Sequence, residues 1–274
     1  MLKRYAGPVL FHAAATVIAV MVLIPFFWMI STSLKSKGAL TAVPIQWIPE
    51  EISFEGYRKV FEVFPFARTI LNSAIIAVLT VSIRLTAASM AAYAFAKIRF
   101  RGRETLFALI LATMMIPQQA TFIPLFLVMK ELDLVNTFTG VVAPSIFNAF
   151  AIFMLRQHMR TISDAYIDAA VMDGAGHRTI FIRLMVPLSA PILATLAVIA
   201  FMDAWNDYLW PLVMLTEPKK MTLPLALSKL SGQYATDYNT LMAGSLISIV
   251  PILIVFLAAQ KHFRAGLQVG GLKG

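Results

Sequence analysis

Six apolar stretches, each long enough to cross a lipid bilayer as a helix, dominate this 274-residue chain. The hydrocarbon core of a bilayer is about 30 Å thick, and a helix needs about 20 apolar residues to cross it. A segment in lipid must also satisfy its backbone hydrogen bonds internally. The sequence therefore predicts an all-α membrane protein with six transmembrane helices. The predicted spans are 9–30, 70–96, 105–129, 139–155, 184–215 and 241–260.

The composition agrees with a membrane protein and disfavours other classes. Hydrophobic residues make up 59% of the chain and charged residues 14%, whereas soluble domains average about 45–50% apolar and about 25% charged. No polar domain is evident, so we predict one integral membrane unit. Cysteine is absent, which excludes disulfides and thiolate chemistry. The net charge of +9 fits cytoplasmic loops and anionic headgroups better than nucleic acid, because no basic–aromatic groove pattern is present.

The basic residues cluster in alternate loops between the six predicted spans. By the positive-inside rule these loops are cytoplasmic, which places both termini inside the cell. The opposite face mixes basic and acidic residues. The N-terminal "MLKRY" resembles the start of a signal peptide, but the apolar run after it is too long, so we predict an uncleaved span. The inner basic residues are Lys3, Arg4, Lys97, Arg99, Arg101, Arg103, Arg156, Arg160, Arg178, Arg183, Lys261, Arg264 and Lys273.

The longest polar stretch, residues 31–68, lies on the predicted outer face. Within it, aromatic residues recur at helical spacing and charged residues take the other face. This pattern predicts an amphipathic helix, which either lies at the membrane interface or packs on the spans. The aromatic face comprises Phe54, Tyr57, Phe61 and Phe64, and the charged face Glu55, Arg58, Lys59 and Glu62.

A short polar segment, "YIDAAVMDGAGH" at 166–177, lies on the inner face between the fourth and fifth spans. Ser163 is a good N-cap, and Asp164 suits the positive end of a helix dipole. The alanines favour a helix with little side-chain bulk, and Gly174 and Gly176 permit a sharp bend after it. The sequence predicts a short helix at about 163–176, which either docks into a cleft on another protein or stays solvated.

This segment and its surroundings resemble a known family. "DAAVMDGAGHRTIFIRLMVP" is similar to the inner-loop signature of ABC importer permeases: Glu-Ala-Ala, three residues, Gly, nine residues, Ile-x-Leu-Pro. Asp168, Ala169, Ala170, Gly174 and Pro187 occupy it in register. "MMIPQQATFIPLF", "LDLVNTFTGVVAP", "WNDYLWPLVML" and "GLQVGGLKG" resemble the carbohydrate-uptake branch, of the maltose-permease G-subunit type. The resemblance covers most of the chain after about residue 70.

The resemblance implies the permease fold of ABC type I importers, with the short inner helix as the coupling helix seated in a cleft of an ATPase subunit. It implies that a dimer of ATPase subunits holds ATP and Mg²⁺, so this chain needs no cofactor. The other implied partners are a second permease subunit, an extracytoplasmic sugar-binding protein, a sugar and the bilayer of a bacterial or archaeal cell. The implied coupling residues are Asp168, Ala169, Ala170, Asp173, Gly174 and Ala175.

Two positions depart from the family pattern, and one loop extends the resemblance. Asp168 stands where the family usually has Glu, and Ser163 stands where it usually has Pro. The shorter Asp168 side chain reduces the reach toward a basic partner. The predicted outer loop at 216–240 resembles the loop that reaches into the sugar-binding protein.

Polar residues at membrane depth are candidates for a substrate path, because ionisable groups are costly there. Asp203 and Asp207 lie on one helical face near two tryptophans, and sugars need hydrogen-bonding groups combined with aromatic faces. The alternative is structural: an aspartate neutralises Arg84 or caps a broken helix, and the amides join helices. The candidates are Arg84, Gln118, Gln119, Asn148, Asp203, Asn206 and Asp207.

No pattern predicts catalysis or metal binding. The chain has no G-x-x-x-x-G-K-[ST], H-E-x-x-H or G-x-S-x-G motif, and its four histidines lack metal-like spacing. We therefore predict the permease subunit of a sugar importer. The alternatives are a same-family permease for glycerol phosphate or another polyol, an ion-coupled secondary transporter, and a membrane-bound enzyme. The predicted divisions are 1–66 with the first span and outer segment, 67–262 as the permease core, and 263–274 as a cytoplasmic tail.

Overall fold

The computed structural model describes residues 2–36, 38, 44–63, 65–230 and 237–270, and the side chains of those between 10 and 260. The described residues form helices joined by turns, with no β-strand among them. The helices are α1 Leu2–Ser33, α2 Glu55–Val63, α3 Phe66–Lys97, α4 Arg103–Thr113, α5 Gln118–Glu131, α6 Phe138–Val142, α7 Ala149–Thr161, α8 Ala165–Met172, α9 His177–Ile180, α10 Val186–Leu188, α11 Ala190–Asn206, α12 Leu209–Met214, α13 Leu223–Leu230 and α14 Tyr238–Gly270.

Three of the described helices are long and apolar enough to span a bilayer: Leu10–Ser33 within α1, Phe66–Lys97, and Tyr238–Gln260 within α14. Three further pairs of helical segments meet the same criterion together, but each pair is bent where its two members meet. The angle is 99° between Arg103–Thr113 and Gln118–Glu131, 42° between Phe138–Ile146 and Ala149–Thr161, and 76° between His177–Leu188 and Ala190–Asn206. By length and composition, the described residues therefore hold three spanning helices, or up to six if each bent pair is one span.

The stretches 105–129, 139–155 and 184–215 are each broken in the structure and are not single continuous helices. In the first of them, α4 ends at Thr113, ahead of Pro117, whose backbone is extended. A proline favours such a break because the residue before it is disfavoured in the α-region. Asn148 is extended before α7. In the fifth stretch α10 and α11 meet at Ser189, and the residue after α11 is extended. Length and hydropathy located the apolar stretches, and the breaks within them follow from the local backbone geometry.

The contacts divide the chain into two compact units. The first combines Met1–Ala67 with Ala226–Val250, and the second combines Arg68–Leu225 with Pro251–Gly274. The backbone of α14 continues to Gly270, so residues 263–270 of the predicted tail are helical.

In the first unit, α2 is present as predicted, and its aromatic face stays largely exposed. Gly56 and Val60 are the buried residues of this helix, whereas Phe54 and Phe61 are 67% and 54% exposed. The absence of a side chain at Gly56 lets α2 approach α14 closely. Phe64, the last residue of the predicted aromatic face, lies outside the described residues.

Two clusters of buried side chains form the core of the second unit. The first packs the C-terminal half of α3 against α4, α7 and the segment around α9 and α11. The second packs the N-terminal half of α3 against α5, α6, α12 and the start of α13. The first cluster is Ala88, Ala92, Tyr93, Phe107, Ala151, Ile152, Leu155, Met159, Ile180, Met185 and Leu196. The second cluster is Ile76, Met129, Val141, Val142, Trp210, Met214, Leu215, Met221 and Leu225.

Arg156, one of the predicted inner basic residues, is buried beside the first cluster. Its Nη2 donates to both carboxylate oxygens of Glu104 at 2.7 Å, and its Nε donates to the carbonyl of Phe95 at 3.1 Å. The guanidinium also lies 3.8 Å from the centre of the Phe107 ring. Because these partners belong to α3 and α4, one side chain of α7 joins three helices.

Gly140 on α6 is a point of close approach in the second cluster. Trp210 Nε1 donates to the Gly140 carbonyl at 3.2 Å. A β-carbon at Gly140 would overlap the carbonyl oxygen of Leu134 and the methyl group of Met214. The backbone therefore leaves no room for a side chain at this position.

We expect Gly140→Ala to destabilise the protein, because overpacking of a filled core costs roughly 1–3 kcal/mol. The measurement is the thermal unfolding midpoint of the detergent-purified protein. Gly176→Ala is the matched control, since a β-carbon at Gly176 meets no atom within 4 Å and its φ is −80°. Equal midpoints for the two variants would contradict the expectation.

Candidate functional site

The inner segment of the sequence forms a short helix, α8, followed by a sharp bend. The helix runs from Ala165 to Met172, so it is shorter than the predicted 163–176. Asp164 rather than Ser163 is the N-cap residue, and the hydroxyl of Ser163 accepts from the amide of Ala165 at 3.3 Å. Asp164 has a helical φ of −66°, and its carbonyl accepts the first backbone hydrogen bonds of the helix, from the amides of Ile167 and Asp168.

The bend follows directly after the helix. Asp173 is the C-terminal cap residue, and Gly174 has a φ of +80°. This is the left-handed conformation that ends many helices and that glycine adopts without strain. The predicted left-handed turn at Gly174 is therefore present. A β-carbon at Gly174 would meet no atom within 4 Å, so the requirement for glycine comes from the backbone rather than from crowding by this chain.

The two faces of α8 have different surroundings. Ile167 and Ala170, together with Ala175 after the bend, pack against the first cluster. The opposite face, which includes Asp168 and Ala169, is exposed. The predicted coupling residues are thus divided: Ala170 and Ala175 face their own chain, whereas the exposed set is Asp168, Ala169, Asp173 and Gly174.

Large apolar side chains accompany the exposed acid on α8. Met172 is 87% exposed, Tyr166 58% and Val171 55%. The side chain of Asp168 has no hydrogen bond or ion pair with the described residues. Sequence reasoning missed the three apolar residues, although their spacing around the two alanines was visible in the quoted segment. An exposed apolar group with one unpaired acid is typical of a surface that a partner covers.

Lys97, the last residue of α3, holds the N-terminal end of α8. Its side chain is 6% exposed, and its ammonium donates to the carbonyl of Ile162 at 2.6 Å and to Oδ1 of Asp164 at 2.5 Å. The hydrogen bond from Lys97 is the main cause that lowers the pKa of Asp164 below its ordinary value. The beginning of α8 is therefore tied to the end of α3.

Tyr93, one turn earlier on α3, holds the other end of the segment. Its hydroxyl lies 3.2 Å from Nδ1 of His177, the first residue of α9, and its ring packs against Phe181 at 5.4 Å between centroids. Lys97 and Tyr93 therefore bind the two ends of the α8 segment. Neither contact was predictable from local pattern, because the partners are 84 and 67 residues apart in the sequence.

The candidate substrate-path residues fall into three groups. Arg84 and Asp203 are joined: Nη1 of Arg84 donates to Oδ2 of Asp203 at 2.9 Å, which links α3 to α11. The arginine side chain is 13% exposed and the aspartate side chain 56%. The charge of Arg84 is therefore neutralised within the protein, as the structural alternative predicted.

Asn148 and Asp207 cap helices at the breaks. Oδ1 of Asn148 accepts from the amide of Ala151 at 2.8 Å at the start of α7. Oδ1 of Asp207 accepts from the amide of Trp210 at 3.3 Å at the start of α12. These side chains satisfy amides that a helix start leaves unpaired.

The remaining amides have exposed positions. Nδ2 of Asn206 donates to the carbonyl of Met202 at 3.0 Å on its own helix. Gln118 and Gln119 are exposed at the first turn of α5, directly after the break at Pro117. The structure brings Arg84 and Asp203 together and gives no contact that joins the two glutamines to them. Within the described residues, no group of three His, Cys, Asp or Glu side chains could hold a metal ion.

The Lys97–Asp164 contact should stabilise the protein in a pH-dependent way. A lowered carboxyl pKa gives a contribution that is complete well above the ordinary value of 3.8 and is lost as the pH falls through the folded-state pKa. We expect Asp164→Asn to lower the thermal unfolding midpoint at pH 7, and the difference from wild type to shrink below about pH 4.

The control is Asp173→Asn, which removes an exposed acid at the opposite end of α8. Its difference from wild type should stay small at every pH. A difference for Asp164→Asn that is equally large at pH 3 and pH 7, or absent at both, would contradict the role assigned to this contact.

Comparisons with known proteins agree on one family. The model of the family described as "Binding-protein-dependent transport system inner membrane component" matches residues 84–269. The arabinooligosaccharides transport system permease protein AraQ of Bacillus subtilis (strain 168) is 34% identical over 94% of this chain and 92% of its own length. The lactose transport system permease protein LacG of Rhizobium radiobacter is 31% identical over 99% of this chain and 98% of its own length.

The structural comparison points the same way. A chain of a bacterial ABC transporter involved in the import of the acidic polysaccharide alginate is 28% identical, with a TM-score of 0.85 over 95% of this chain and 98% of that one. The similarities to AraQ, to LacG and to the alginate transporter chain each cover nearly the whole of this chain. This chain belongs to the family of binding-protein-dependent transport system inner membrane components, which are membrane-embedded transport permeases rather than enzymes.

Proposed function

We propose that this chain is a permease subunit of an ATP-driven, binding-protein-dependent importer of a sugar, with an oligosaccharide or disaccharide as substrate. The observation that carries the proposal is full-length similarity to permeases named for arabinooligosaccharides and lactose. The exposed helix α8, with its unpaired acid, supplies the surface through which ATPase subunits would act. A second permease, a dimer of ATPase subunits and an extracytoplasmic sugar-binding protein complete the proposed complex.

The proposed topology has six spans with both termini in the cytoplasm of a bacterial or archaeal cell. Side-chain contacts within the second unit support it. Lys97–Asp164, Tyr93–His177 and Arg156–Glu104 each join loops or helix ends that the positive-inside rule places inside. Hydrogen bonds of Asn72 and Asn136 to the segment after α12 join positions assigned to the outside. The division into residues 1–66, the permease core at 67–262 and a cytoplasmic tail at 263–274 is part of this proposal.

In the proposed mechanism, α8 seats in a cleft of an ATPase subunit and moves with it. Because Lys97 and Tyr93 of α3 bind the two ends of the α8 segment, a displacement of α8 would move the end of α3 directly. Further along α3, Arg84 is paired with Asp203 of α11. A force on α8 would thus reach α3 and α11 through short contacts, as hinge and shear motions of packed helices require. ATP and Mg²⁺ would remain on the ATPase subunits.

The charge of the candidate path favours a neutral sugar over a phosphate ester. A permease for glycerol phosphate would need excess positive charge along its path, because phosphate groups are bound by unpaired Arg or Lys. Arg84 is paired with Asp203, and the other candidates are neutral amides or, at Asp207, a further acid. The path residues we name therefore offer no free cation.

The function is tested by uptake into proteoliposomes that contain the purified complex. We expect uptake of a neutral oligosaccharide that requires enclosed ATP and the binding protein, and that persists when a protonophore removes the proton gradient. Uptake that follows the proton gradient without ATP would instead identify an ion-coupled transporter.

Asp168 should contribute to the contact with the ATPase through its charge. Partly desolvated charge pairs at interfaces couple by about 1.5–7 kcal/mol, whereas exposed pairs give about 0–1 kcal/mol. We expect Asp168→Ala to reduce co-purification of the ATPase, Asp168→Glu to preserve it, and Asp168→Lys to reduce it most, with smaller differences at high salt. Equal recovery for all three variants would show that α8 docks by shape alone.

Gly174 should matter through the bend that it permits. A residue with a β-carbon in the left-handed region costs roughly 1–2 kcal/mol, so we expect Gly174→Leu to lower transport strongly at normal membrane insertion. Gly102→Leu is the matched control, because Gly102 also has a positive φ, +83°, and open space around its β-carbon position. Equal transport by the two variants would contradict a special role for the bend after α8.

A further inference from the structure

Asn136 lies in the loop between α5 and α6 and makes hydrogen bonds to a second loop. The second loop is the segment of residues 216–220 after α12, which we call the outer turn. Nδ2 of Asn136 donates to Oε1 of Glu217 at 2.6 Å. Oδ1 of Asn136 accepts from the amides of Thr216 and Glu217, each at 3.2 Å. One amide side chain thus makes three hydrogen bonds to the beginning of the outer turn.

The backbone of Asn136 binds the same region. Its amide donates to the carbonyl of Met214 at 2.7 Å, and its carbonyl accepts from Nζ of Lys220 at 2.9 Å. Asn136 does this in the left-handed conformation, with a φ of 60°, which asparagine tolerates better than most residues. This backbone geometry presents the side chain and both peptide groups of Asn136 to one segment.

The far end of the outer turn is fixed from α3. Nδ2 of Asn72 donates to the carbonyls of Lys219 and Met221 at 3.0 and 2.9 Å. The hydroxyl of Ser73 accepts from the amide of Leu223 at 2.7 Å. Asn72 and Ser73 are 5% and 1% exposed, so these bonds are shielded from water. The outer turn is therefore held at both ends by side chains of other elements.

The part of the turn between these anchors is exposed and charged. Thr216, Glu217, Pro218 and Lys219 are all exposed. Hydrogen bonds from Lys220 and then Asn136 lower the pKa of Glu217 below its ordinary value, so this carboxylate is ionised at neutral pH. The result is a fixed polar surface with both signs of charge, which resembles the rim of a transient protein interface.

We propose that Asn136 is a positioning residue that keeps the outer turn preformed as a docking surface for the extracytoplasmic binding protein. This inference rests on the proposed function, in which the binding protein is the macromolecular partner that arrives from outside. A surface that is ordered before docking binds more tightly, because the entropy of ordering is not lost on association. Asn136 acts through the turn and has no part in the sugar path named above.

The test uses the assembled transporter in lipid nanodiscs with three variants. Asn136→Gly keeps the left-handed backbone and removes all three side-chain bonds. Asn136→Asp keeps the acceptor for the amides of Thr216 and Glu217, but it replaces the donor with a carboxylate beside Glu217. Asp133→Gly is the matched control: Asp133 lies in the same loop with a φ of 54°, and its side chain has no hydrogen bond within the described residues.

Two quantities are measured for each variant. Hydrogen–deuterium exchange reports the protection of the amides in residues 214–223. ATP hydrolysis is recorded without the binding protein and across a titration with the substrate-loaded binding protein that stimulates the wild-type complex. A merely structural role for Asn136 would lower assembly and basal hydrolysis, whereas positioning would change the concentration of binding protein needed.

We expect Asn136→Gly to speed exchange at Thr216 and Glu217 and to raise the half-maximal concentration of binding protein roughly tenfold, with basal and maximal hydrolysis unchanged. Asn136→Asp should fall between Asn136→Gly and wild type, and Asp133→Gly should match wild type. An unchanged half-maximal concentration for Asn136→Gly, or unchanged exchange, would overturn the inference while leaving the proposed function intact. A wild-type complex that no binding protein stimulates would overturn the proposed function, and this inference with it.

Discussion

A break in an apolar helix frees backbone amides that lipid cannot satisfy, and the architecture of the second unit depends on how this chain satisfies them. Asn148 caps α7, Asp207 caps α12, and Thr137 accepts from the amide of Gly140 at the start of α6. Each cap is a short polar side chain placed within three residues of the amide that it binds. Two residues that look like a substrate path in the sequence, Asn148 and Asp207, thus have a structural role, and Asn148 caps the helix that follows the 42° bend.

Because the bent stretches are interrupted, α3 is the long uninterrupted helix of the second unit to which the others attach. Its N-terminal part binds the outer turn through Asn72, its middle pairs with α11 through Arg84, and its end grips the α8 segment through Lys97. One helix of 32 residues thus makes contacts on both predicted faces of the membrane. A helix of this length is long enough to cross a bilayer, so in the topology that we propose α3 connects the inner contacts directly to the outer ones.

The sequence predicted local and periodic features well and long-range contacts poorly. Apolar length located the stretches, and the glycine at 174 indicated a left-handed turn, because both depend on a few neighbouring residues. The pairings of Lys97 with Asp164 and of Asn136 with Glu217 cross 67 and 81 residues, and no local pattern encodes them. On α2, the helical spacing was right, and Gly56 and Val60 are its buried residues, whereas Phe54 and Phe61 stay exposed, as the interfacial alternative expects.

The small-residue signature of the inner loop has two separate physical origins in this structure. Ala170 packs α8 onto the first cluster, where a small side chain allows close approach. Ala169 is exposed together with Asp168 and meets no such limit within its own chain. Its small size favours helix formation and leaves room for a surface that approaches from outside, as the proposed docking into a cleft of a partner requires. The same reasoning applies to Met172, whose exposed side chain would be unfavourable in water but suits a partner's apolar pocket.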